Sequence, residues 1–146
     1  LLNEIINSFK EISKKNFSMK IENIENEVTI KRKAEITYGL RNFIGNASKF
    51  SNSLIEIKLQ IYKNKTQIKI SDDGPGFPDD IKNFLGEPYI HSKNKIIDAK
   101  SGLGLGTFIG KTLLERMKAN VIFGRCQTLK GAEVIIEWEN KNLLTI

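Results

Sequence analysis

Apolar residues recur at helical spacing in two long segments of the chain. Residues 1–15 have an apolar side chain at every third or fourth position, and this spacing predicts an amphipathic helix. Residues 34–50 repeat the pattern and predict a second helix. Gly39 and Gly45 lie inside this second helix, where each costs up to about 1 kcal/mol relative to Ala. Their presence indicates either close packing of the helix against a sheet or room for a ligand.

Other segments have the alternation that is typical of strands with one buried face. Residues 53–62 alternate strictly, and a turn at 63–65 joins them to a returning strand, so this pair is predicted to be a hairpin. Val28 and Ile30 are compatible with one more short extended piece. The predicted strands are residues 17–22, 53–62, 66–71, 121–123 and 132–138.

Two glycine-containing segments interrupt these elements. The run D-D-G-P-G-F-P at residues 72–78 cannot continue a strand, and a short helix is predicted after it at 79–85. Residues 86–101 have no clear period, and a polar loop of this length in a compact domain is often a lid. The run G-L-G-L-G at residues 102–106 then leads into a third predicted helix.

The order of these elements predicts the fold class. Strand, helix, hairpin, glycine loop, lid, glycine loop, helix and closing strands favour a two-layer α/β sandwich, with a mixed sheet covered on one face. The helix of residues 1–15 could dock on this domain or could be the tail of a helix from an upstream domain. The chain begins at Leu1 rather than Met, so we expect it to be a piece of a longer protein.

Composition and charge restrict the classes of function. The 146 residues carry 23 basic and 17 acidic side chains, a net charge of +6, and 40% are hydrophobic, which is ordinary for a globular domain. The lysines are spread along the chain without interleaved aromatic residues, which favours a solvated surface with a local phosphate site over a nucleic-acid groove. No apolar run is long enough to span a bilayer. Because Cys126 is the single cysteine, an internal disulfide is excluded and a reducing compartment is favoured.

Candidate chemistry begins on the second predicted helix. Asn42 and Asn46 are four residues apart, so their amides project from one face of the helix. Neutral oxygen ligands suit Mg²⁺ when phosphates supply the charge. Lys49, one turn further on, could reach a phosphate, and Phe50 could stack on a base. Taken alone, these residues are better explained by an ordinary mixed helix face.

The two glycine segments add a second set of candidates. Asp72 lies where a strand ends, and a buried carboxylate there could accept the exocyclic amine of adenine, while Gly74 and Gly76 would let the base approach the backbone. A simple turn is the alternative, since Asp, Gly and Pro are turn formers. The run at 102–106 precedes a helix, whose free N-terminal amides can hold phosphate. The run fits neither the Walker A nor the Rossmann pattern.

The combination of these segments resembles the ATP-binding catalytic domain of sensor histidine kinases. This domain belongs to the GHKL superfamily, which also contains gyrase, mismatch-repair and heat-shock chaperone ATPases. The run L-R-N-F-I-G-N-A-S-K-F is similar to the N box, I-S-D-D-G-P-G-F-P to the first glycine box, and S-G-L-G-L-G to the second. The run E-P-Y-I-H-S-K resembles the segment that opens the lid. The segments around the N box and the second glycine box also resemble the redox-responsive RegB/PrrB group.

The resemblance covers nearly the whole chain and implies a fold, a division of the chain and two cofactors. The fold is the α+β Bergerat fold, with a mostly antiparallel mixed sheet and an ATP lid at about 86–101. Residues 1–15 would be the end of, or the junction from, a missing dimerisation helix, and residues 16–146 would form the catalytic domain. The implied cofactors are ATP and Mg²⁺.

The resemblance also implies a role for each motif residue. Asn46 would bind Mg²⁺ with Asn42 assisting, Lys49 would contact phosphate, Phe50 would flank the adenine, and Asp72 would hold its amine. Gly74 and Gly76 would shape the pocket, and the glycines of the run at 102–106 would wrap the phosphates. Lys93 in the lid would reach the γ-phosphate. The full set implied in ATP binding is Asn42, Asn46, Lys49, Phe50, Asp72, Gly74, Gly76, Lys93, Gly102, Leu103, Gly104, Leu105 and Gly106.

Asn42 carries an implication for the reaction. In related ATPases this position is typically Glu, the base that activates water, whereas an amide cannot accept a proton at neutral pH. The bound nucleotide would therefore be held for transfer to a protein, as in a protein-histidine kinase. The acceptor histidine is expected upstream of the chain, so no catalytic residue is expected within it, and the chain alone should bind ATP without phosphorylating itself. His91, the only histidine, is interpreted as a lid residue.

The implied partners are an upstream dimerisation and phosphoacceptor domain of the same protein and a cognate response regulator. This domain is expected to lie in the cytoplasm. The parent protein is expected to be a homodimer that could be anchored in the inner membrane and that does not bind nucleic acid. Two alternatives stay open: an anti-sigma-type serine/threonine kinase of the same fold, and a nucleotide-binding interaction module without transfer activity. Cys126 is expected to be a small buried hydrophobic residue rather than a sensor, and Trp138 to lie in the core or on the sheet face.

Overall fold

The computed structural model describes residues 1–22, 24–25, 27–78 and 103–146. The predicted helix at 79–85, the lid with His91 and Lys93, and Gly102 lie outside the described residues. The helices are α1 (Leu2–Lys10), α2 (Ala34–Phe50), α3 (Leu103–Arg116) and α4 (Asn140–Leu143). The strands are β1 (Asn16–Glu22), β2 (Leu54–Ile61), β3 (Lys65–Asp72), β4 (Asn120–Arg125) and β5 (Ala132–Glu139).

These strands form one five-stranded sheet in the order β1-β2-β3-β5-β4. Strands β1 and β2 are parallel, and the other neighbouring pairs are antiparallel, which confirms the predicted mixed, mostly antiparallel sheet. The alternation seen in the sequence sets which face is buried. Ile57 pairs with Ile70, and Ile68 pairs with Ile136, and all four side chains belong to the core.

The core lies between this sheet and the helices. Helix α2 keeps the predicted bounds and buries its apolar stripe, and Trp138 on β5 is 3% exposed, as predicted. The Trp138 indole N–H donates to the carbonyl of Met117 at 2.9 Å. No helix among the described residues is both long and apolar enough to cross a membrane.

The glycines of α2 are explained by contacts with other helices. A Cβ at Gly39 would lie 2.6 Å from Cγ of Leu114 on α3, and one at Gly45 would lie 3.3 Å from the Phe9 ring on α1. On α3, a Cβ at Gly110 would lie 2.9 Å from the Phe43 ring. The prediction of helix–sheet packing or ligand space at Gly39 and Gly45 was therefore wrong, because these glycines let helices approach one another.

The first predicted helix is shorter than expected. Helix α1 ends at Lys10, and Ile12, placed by the sequence on its apolar stripe, is 81% exposed. The part that forms docks on this domain, since Ile5 and Ile6 are almost fully buried in its core. That residues 1–15 join a dimerisation helix stays a prediction. The extended piece expected around residues 28–30 is not a strand, although both apolar side chains pack against the core.

The C-terminus of α3 closes in a Schellman motif without its usual glycine. The Ala119 N–H donates to the Leu114 carbonyl and the Lys118 N–H to the Glu115 carbonyl, both at 3.0 Å. Lys118 has a φ of 66°, in the left-handed region that disfavours a side chain. The motif thus places a strained residue where glycine is preferred.

Lys118→Gly is expected to raise the free energy of unfolding by about 0.5 kcal/mol, because relief of the left-handed strain exceeds the added freedom of the unfolded chain. Urea denaturation of both proteins measures this change. Lys111→Gly, in the middle of α3, is the control and should lower the same free energy by about 1 kcal/mol. A loss of stability at both positions would show that Lys118 is not strained.

Candidate functional site

A cavity of about 220 Å³ lies where α2, the end of β3 and the start of β5 meet. Its walls are mainly apolar, with a carboxylate, an amide and a hydroxyl as the polar exceptions. Phe123 supports it from behind, since its ring lies edge-to-face against Phe43 and Phe77, with both pairs of ring centroids 5.8 Å apart. The lining residues are Phe43, Asn46, Ala47, Phe50, Ile70, Asp72, Pro75, Gly76, Phe77, Pro78, Thr107, Ala132 and Val134.

Asp72 is the acidic residue of this cavity and ends strand β3. It is 5% exposed, and its Oδ1 accepts hydrogen bonds from the N–H groups of Gly74 at 2.9 Å and Ala132 at 3.3 Å. Burial raises the pKa of the Asp72 carboxyl, and these two hydrogen bonds only partly oppose the rise. Since both bonds end on Oδ1, the second oxygen can accept a hydrogen bond from a ligand in the cavity.

Two glycines let the backbone close around Asp72. A Cβ at Gly74 would lie 2.3 Å from the Phe50 carbonyl oxygen, and one at Gly131 would lie 2.2 Å from the Asp72 carbonyl oxygen. Neither position has room for a side chain. Gly76, with a φ of +82°, turns the loop back along the cavity. The sequence predicted Gly74 and Gly76 as site residues, but not Gly131.

The neighbouring Asp73 has a different environment. Its Oδ1 accepts hydrogen bonds from the N–H groups of Asn52, Ser53 and Leu54 at 2.9 to 3.1 Å, and its Oδ2 accepts one from the Ser53 hydroxyl at 2.9 Å. Burial alone would raise the pKa of Asp73, but these hydrogen bonds outweigh it and lower the pKa to about 2. Asp73 therefore anchors the segment after α2 to the glycine loop.

Asp73→Asn is expected to lower the free energy of unfolding by about 1.5 kcal/mol at neutral pH, a value reduced for solvent screening of this partly exposed group. A carboxyl with a lowered folded pKa stabilises above its unfolded pKa, and this contribution disappears as the pH falls from about 4 towards 2. Urea denaturation of both proteins between neutral pH and about pH 3 measures the difference. It should shrink with acid, and a constant difference would show that the charge of Asp73 is not responsible.

Asn42 and Asn46 point their amides towards the start of α3. A Cβ at Gly106 would have, as its nearest neighbours, Oδ1 of Asn46 at 3.4 Å and Oδ1 of Asn42 at 3.5 Å. The nitrogen of Asn42 donates to the Tyr38 carbonyl at 2.8 Å, and that of Asn46 to the Thr107 hydroxyl at 3.5 Å. The two amide oxygens therefore lie beside the space that glycine leaves open, with the Asn46 nitrogen 3.6 Å from the same Cβ position.

The remaining predicted residues lie at different distances from this centre. Phe50 lines the cavity, whereas Lys49 is exposed, with its ammonium 5.4 Å from the centroid of the Phe50 ring. Helix α3 begins at Leu103, so the described part of the glycine run forms its first turn instead of preceding it. The backbone N–H groups of a first turn have no partner within the helix, so phosphate binding by this run stays a prediction that the helix start is compatible with.

Several cavity residues were not predicted from the sequence. Thr107 is 1% exposed and accepts from Asn46, and Ala132 and Val134 reach the cavity from β5. Thr107 directly follows the glycine run, which is the one local signal that could have indicated it. The two β5 residues carry no such signal, because only sheet pairing brings them beside Asp72.

Cys126 is 4% exposed, as predicted for a small buried residue. Its sulfur lies 3.4 Å from the Thr128 hydroxyl and accepts a hydrogen bond from the Leu129 N–H at 3.4 Å. Burial raises the pKa of the thiol, but the hydrogen bonds exceed that effect and hold the pKa below its ordinary value. Nothing in the sequence around Cys126 indicated this shift.

The site and the fold together define a class of protein. A buried carboxylate at the wall of an apolar cavity suits a flat heterocycle that carries an amine, and paired amides beside a glycine-led helix suit its phosphates. Residues 32–142 match the family described as histidine kinase-, DNA gyrase B-, and HSP90-like ATPase. The chain belongs to this family of ATP-binding domains, its fold is the Bergerat fold, and the predicted likeness to sensor histidine kinases is confirmed.

Individual relatives agree with this assignment. Sensor histidine kinase RegB of Cereibacter sphaeroides is 37% identical over 105 residues, which are 68% of this chain and 22% of RegB. The chain thus spans about a fifth of the length of the curated relatives it matches. Mycobacterial sensor histidine kinase MprB is 20% identical, with a TM-score of 0.70 over 94% of this chain and 95% of the other. A nucleotide-free catalytic domain of histidine kinase ThkA is 21% identical, with a TM-score of 0.72 over 97% and 95%. The two structural likenesses bear on the fold alone.

Proposed function

We propose that this chain is the catalytic ATP-binding domain of a two-component sensor histidine kinase. It binds ATP together with Mg²⁺ and presents the γ-phosphate to a histidine on a separate dimerisation domain. In the transfer, the bond from the γ-phosphorus to the bridging oxygen breaks, a phosphorus–nitrogen bond forms, and ADP leaves. The family assignment supports ATP binding, and the arrangement of the described residues supports the finer statements.

The adenine is assigned to the cavity beside Asp72. The free oxygen of Asp72 accepts the exocyclic amine, and the amine of adenine distinguishes it from guanine, which presents a carbonyl at that position. The walls formed by Phe50, Phe77 and Val134 cover the faces of a flat base. The Asp72 carboxylate therefore both binds adenine and discriminates against guanine.

The convergence of the Asn42 and Asn46 oxygens beside Gly106 fits Mg²⁺. Neutral amide oxygens are suitable ligands for this ion when a nucleotide contributes its phosphates. The gap that a Cβ at Gly106 would fill leaves space for the ion or a phosphate oxygen. When bound there, Mg²⁺ would neutralise the charge on the transferring phosphoryl group.

The chemistry of Asn42 is the observation that carries the proposal of transfer to a protein. The groups nearest to Gly106 are amides, and neither can take a proton from water at neutral pH. The Asn42 nitrogen is also held by the Tyr38 carbonyl, which fixes the amide. The domain therefore holds ATP and orients it, so that an acceptor from another domain can approach.

The acceptor and the other partners complete the proposal. The phosphorylated histidine belongs to an upstream dimerisation domain, and the phosphoryl group then passes to a cognate response regulator. The parent protein is proposed to be a homodimer through that upstream domain. Lys49 and Lys93 are proposed to contact the phosphates, together with the glycine run that opens α3.

The test is a calorimetric titration with a non-hydrolysable ATP analogue, with and without Mg²⁺, followed by an assay with radiolabelled ATP. Micromolar-range binding that improves with Mg²⁺ is expected, and GTP analogues should bind far more weakly. The chain alone should incorporate no label. The purified dimerisation domain of a RegB-type kinase is added as the acceptor, and its variant without the acceptor histidine is the control.

The outcomes separate the alternatives. Label on the histidine of the added domain supports a histidine kinase. Label on serine or threonine of an added protein would instead favour the anti-sigma type of kinase. Nucleotide binding without any transfer would favour the interaction module, and no binding at millimolar nucleotide by a folded chain would contradict all nucleotide-dependent proposals.

A further inference from the structure

Lys15 lies outside the cavity but contacts the chain that supports it. It occupies the connection between α1 and β1, and its own N–H donates to the Ser13 hydroxyl at 3.2 Å. The next residue begins β1, where the Asn16 N–H donates to the Ser53 carbonyl at 2.7 Å. The Lys15 ammonium donates to the carbonyl of Ser51, the residue that caps the C-terminus of α2. No motif in the sequence indicated this contact.

We propose that Lys15 is a positioning residue of the nucleotide site: its ammonium, bonded to the Ser51 carbonyl, holds the C-terminus of α2 against the glycine loop. This inference rests on the proposed function, because it assumes that the cavity beside Asp72 binds adenine. It adds a residue from the α1–β1 connection, which none of the sequence motifs includes.

The first argument is the location of Ser51. Ser51 has an extended backbone, so its carbonyl lies outside the hydrogen bonding of α2, and a buried carbonyl of this kind needs a partner from another element. Ser51 is 5% exposed, and water therefore has little access to this helix end. Lys15, which reaches in from the α1–β1 connection, supplies this hydrogen bond.

The second argument is a continuous path of contacts from Lys15 to the carboxylate. Phe50, directly before Ser51, lines the cavity with its ring and places its carbonyl against Gly74. Gly74 in turn donates its N–H to Oδ1 of Asp72 at 2.9 Å. A shift of the end of α2 would therefore move the ring, the glycine loop and the carboxylate together.

The third argument is electrostatic. Within the described part of the chain, the charged groups acting on Asp72 are Asp73, which raises the pKa of its carboxyl, and Lys15, which lowers it. Burial is the largest influence and also raises the pKa. Lys15 therefore favours the ionised form, which accepts a hydrogen bond from adenine. Without it, Asp72 should take up a proton at a higher pH.

The test compares Lys15→Met with Lys15→Arg, and Lys14→Met in the same connection is the matched control because Lys14 is exposed. An ATP analogue is titrated into each protein from neutral to mildly acidic pH. Lys15→Met is expected to bind roughly three- to tenfold more weakly at neutral pH. Its loss of affinity with acid should begin at a higher pH than in the original protein. Lys15→Arg should restore most of both properties, and Lys14→Met should change neither.

A second measurement does not need nucleotide. The ¹³C chemical shift of the Asp72 carboxyl, followed against pH, should show a higher midpoint in Lys15→Met, or in Lys15→Gln if the Met variant does not fold. Unchanged affinity and an unchanged midpoint would overturn the inference while the proposed function stands. If the original protein did not bind nucleotide, the proposed function would be overturned. The role of Lys15 in nucleotide binding would then be overturned as well.

Discussion

Asp72→Asn is expected to weaken binding of an ATP analogue at least about 100-fold, which corresponds to about 2.8 kcal/mol. The substitution keeps Oδ1, so the hydrogen bonds from Gly74 and Ala132 can persist. It replaces the oxygen that would accept the adenine amine with an NH₂ group. Two donors then face each other in a buried site, and calorimetry at neutral pH measures the loss.

The same variant should unfold at the same or a higher urea concentration. Burial raises the pKa of Asp72, so its ionised form opposes folding above the ordinary pKa of an aspartate, and a neutral amide removes that penalty. Asp73→Asn is the matched control and should show the reverse behaviour, with lower stability and affinity within about threefold of the original. Equal loss of affinity in both variants would contradict the separate roles of the two aspartates.

Gly131→Ala should have the largest effect on the folded structure. The added Cβ would lie 2.2 Å from the Asp72 carbonyl oxygen and 2.4 Å from its Oδ1, and the first of these is a backbone atom that cannot rotate away. We expect the free energy of unfolding to fall by about 3 kcal/mol. Nucleotide affinity should fall at least about tenfold, because the carboxylate must move. Urea denaturation and calorimetry at low temperature measure the two losses.

Gly124→Ala provides the control on the neighbouring strand. A Cβ at Gly124 meets no atom within 4 Å, so this variant should keep both its stability and its affinity. If Gly131→Ala behaved like Gly124→Ala, the close approach of β5 to Asp72 would be wrong. If both variants were equally destabilised, the contact with Asp72 would not be the cause, because a Cβ at Gly124 makes no such contact.

The fold was largely predictable because its signals are local. The pairing register of β2 and β3 agrees with the alternation of apolar residues over 53–71. The bounds of α2 agree with the apolar stripe of residues 34–50. The end of α1 was predicted wrongly. The apolar spacing continues to Ile12, but the chain turns after Lys10 to place Asn16 beside β2, and that pairing is not visible in local periodicity.

The residues of the site were predictable only where they belong to a short sequence motif. Asp72 and Asn46 belong to short motifs, and the structure brings both to one cavity. Gly131 and Ala132 do not, since Ala132 is 60 residues from Asp72 in the chain and meets it only through the pairing of β3 with β5. Lys15 was missed for the same reason, because its partner Ser51 lies 36 residues away.

The pairing of β3 with β5 also has a kinetic consequence. The hairpins β2–β3 and β4–β5 join strands that are neighbours in the sequence. Strands β3 and β5, in contrast, pair residues as distant as Lys65 and Glu139, and such non-local pairings form late in folding. Asp72 and Ala132 lie at the end of this junction, beside the cavity. A nucleotide bound there would hold together the two halves of the sheet that separate early in unfolding. Saturating ATP should therefore slow unfolding far more than it accelerates folding.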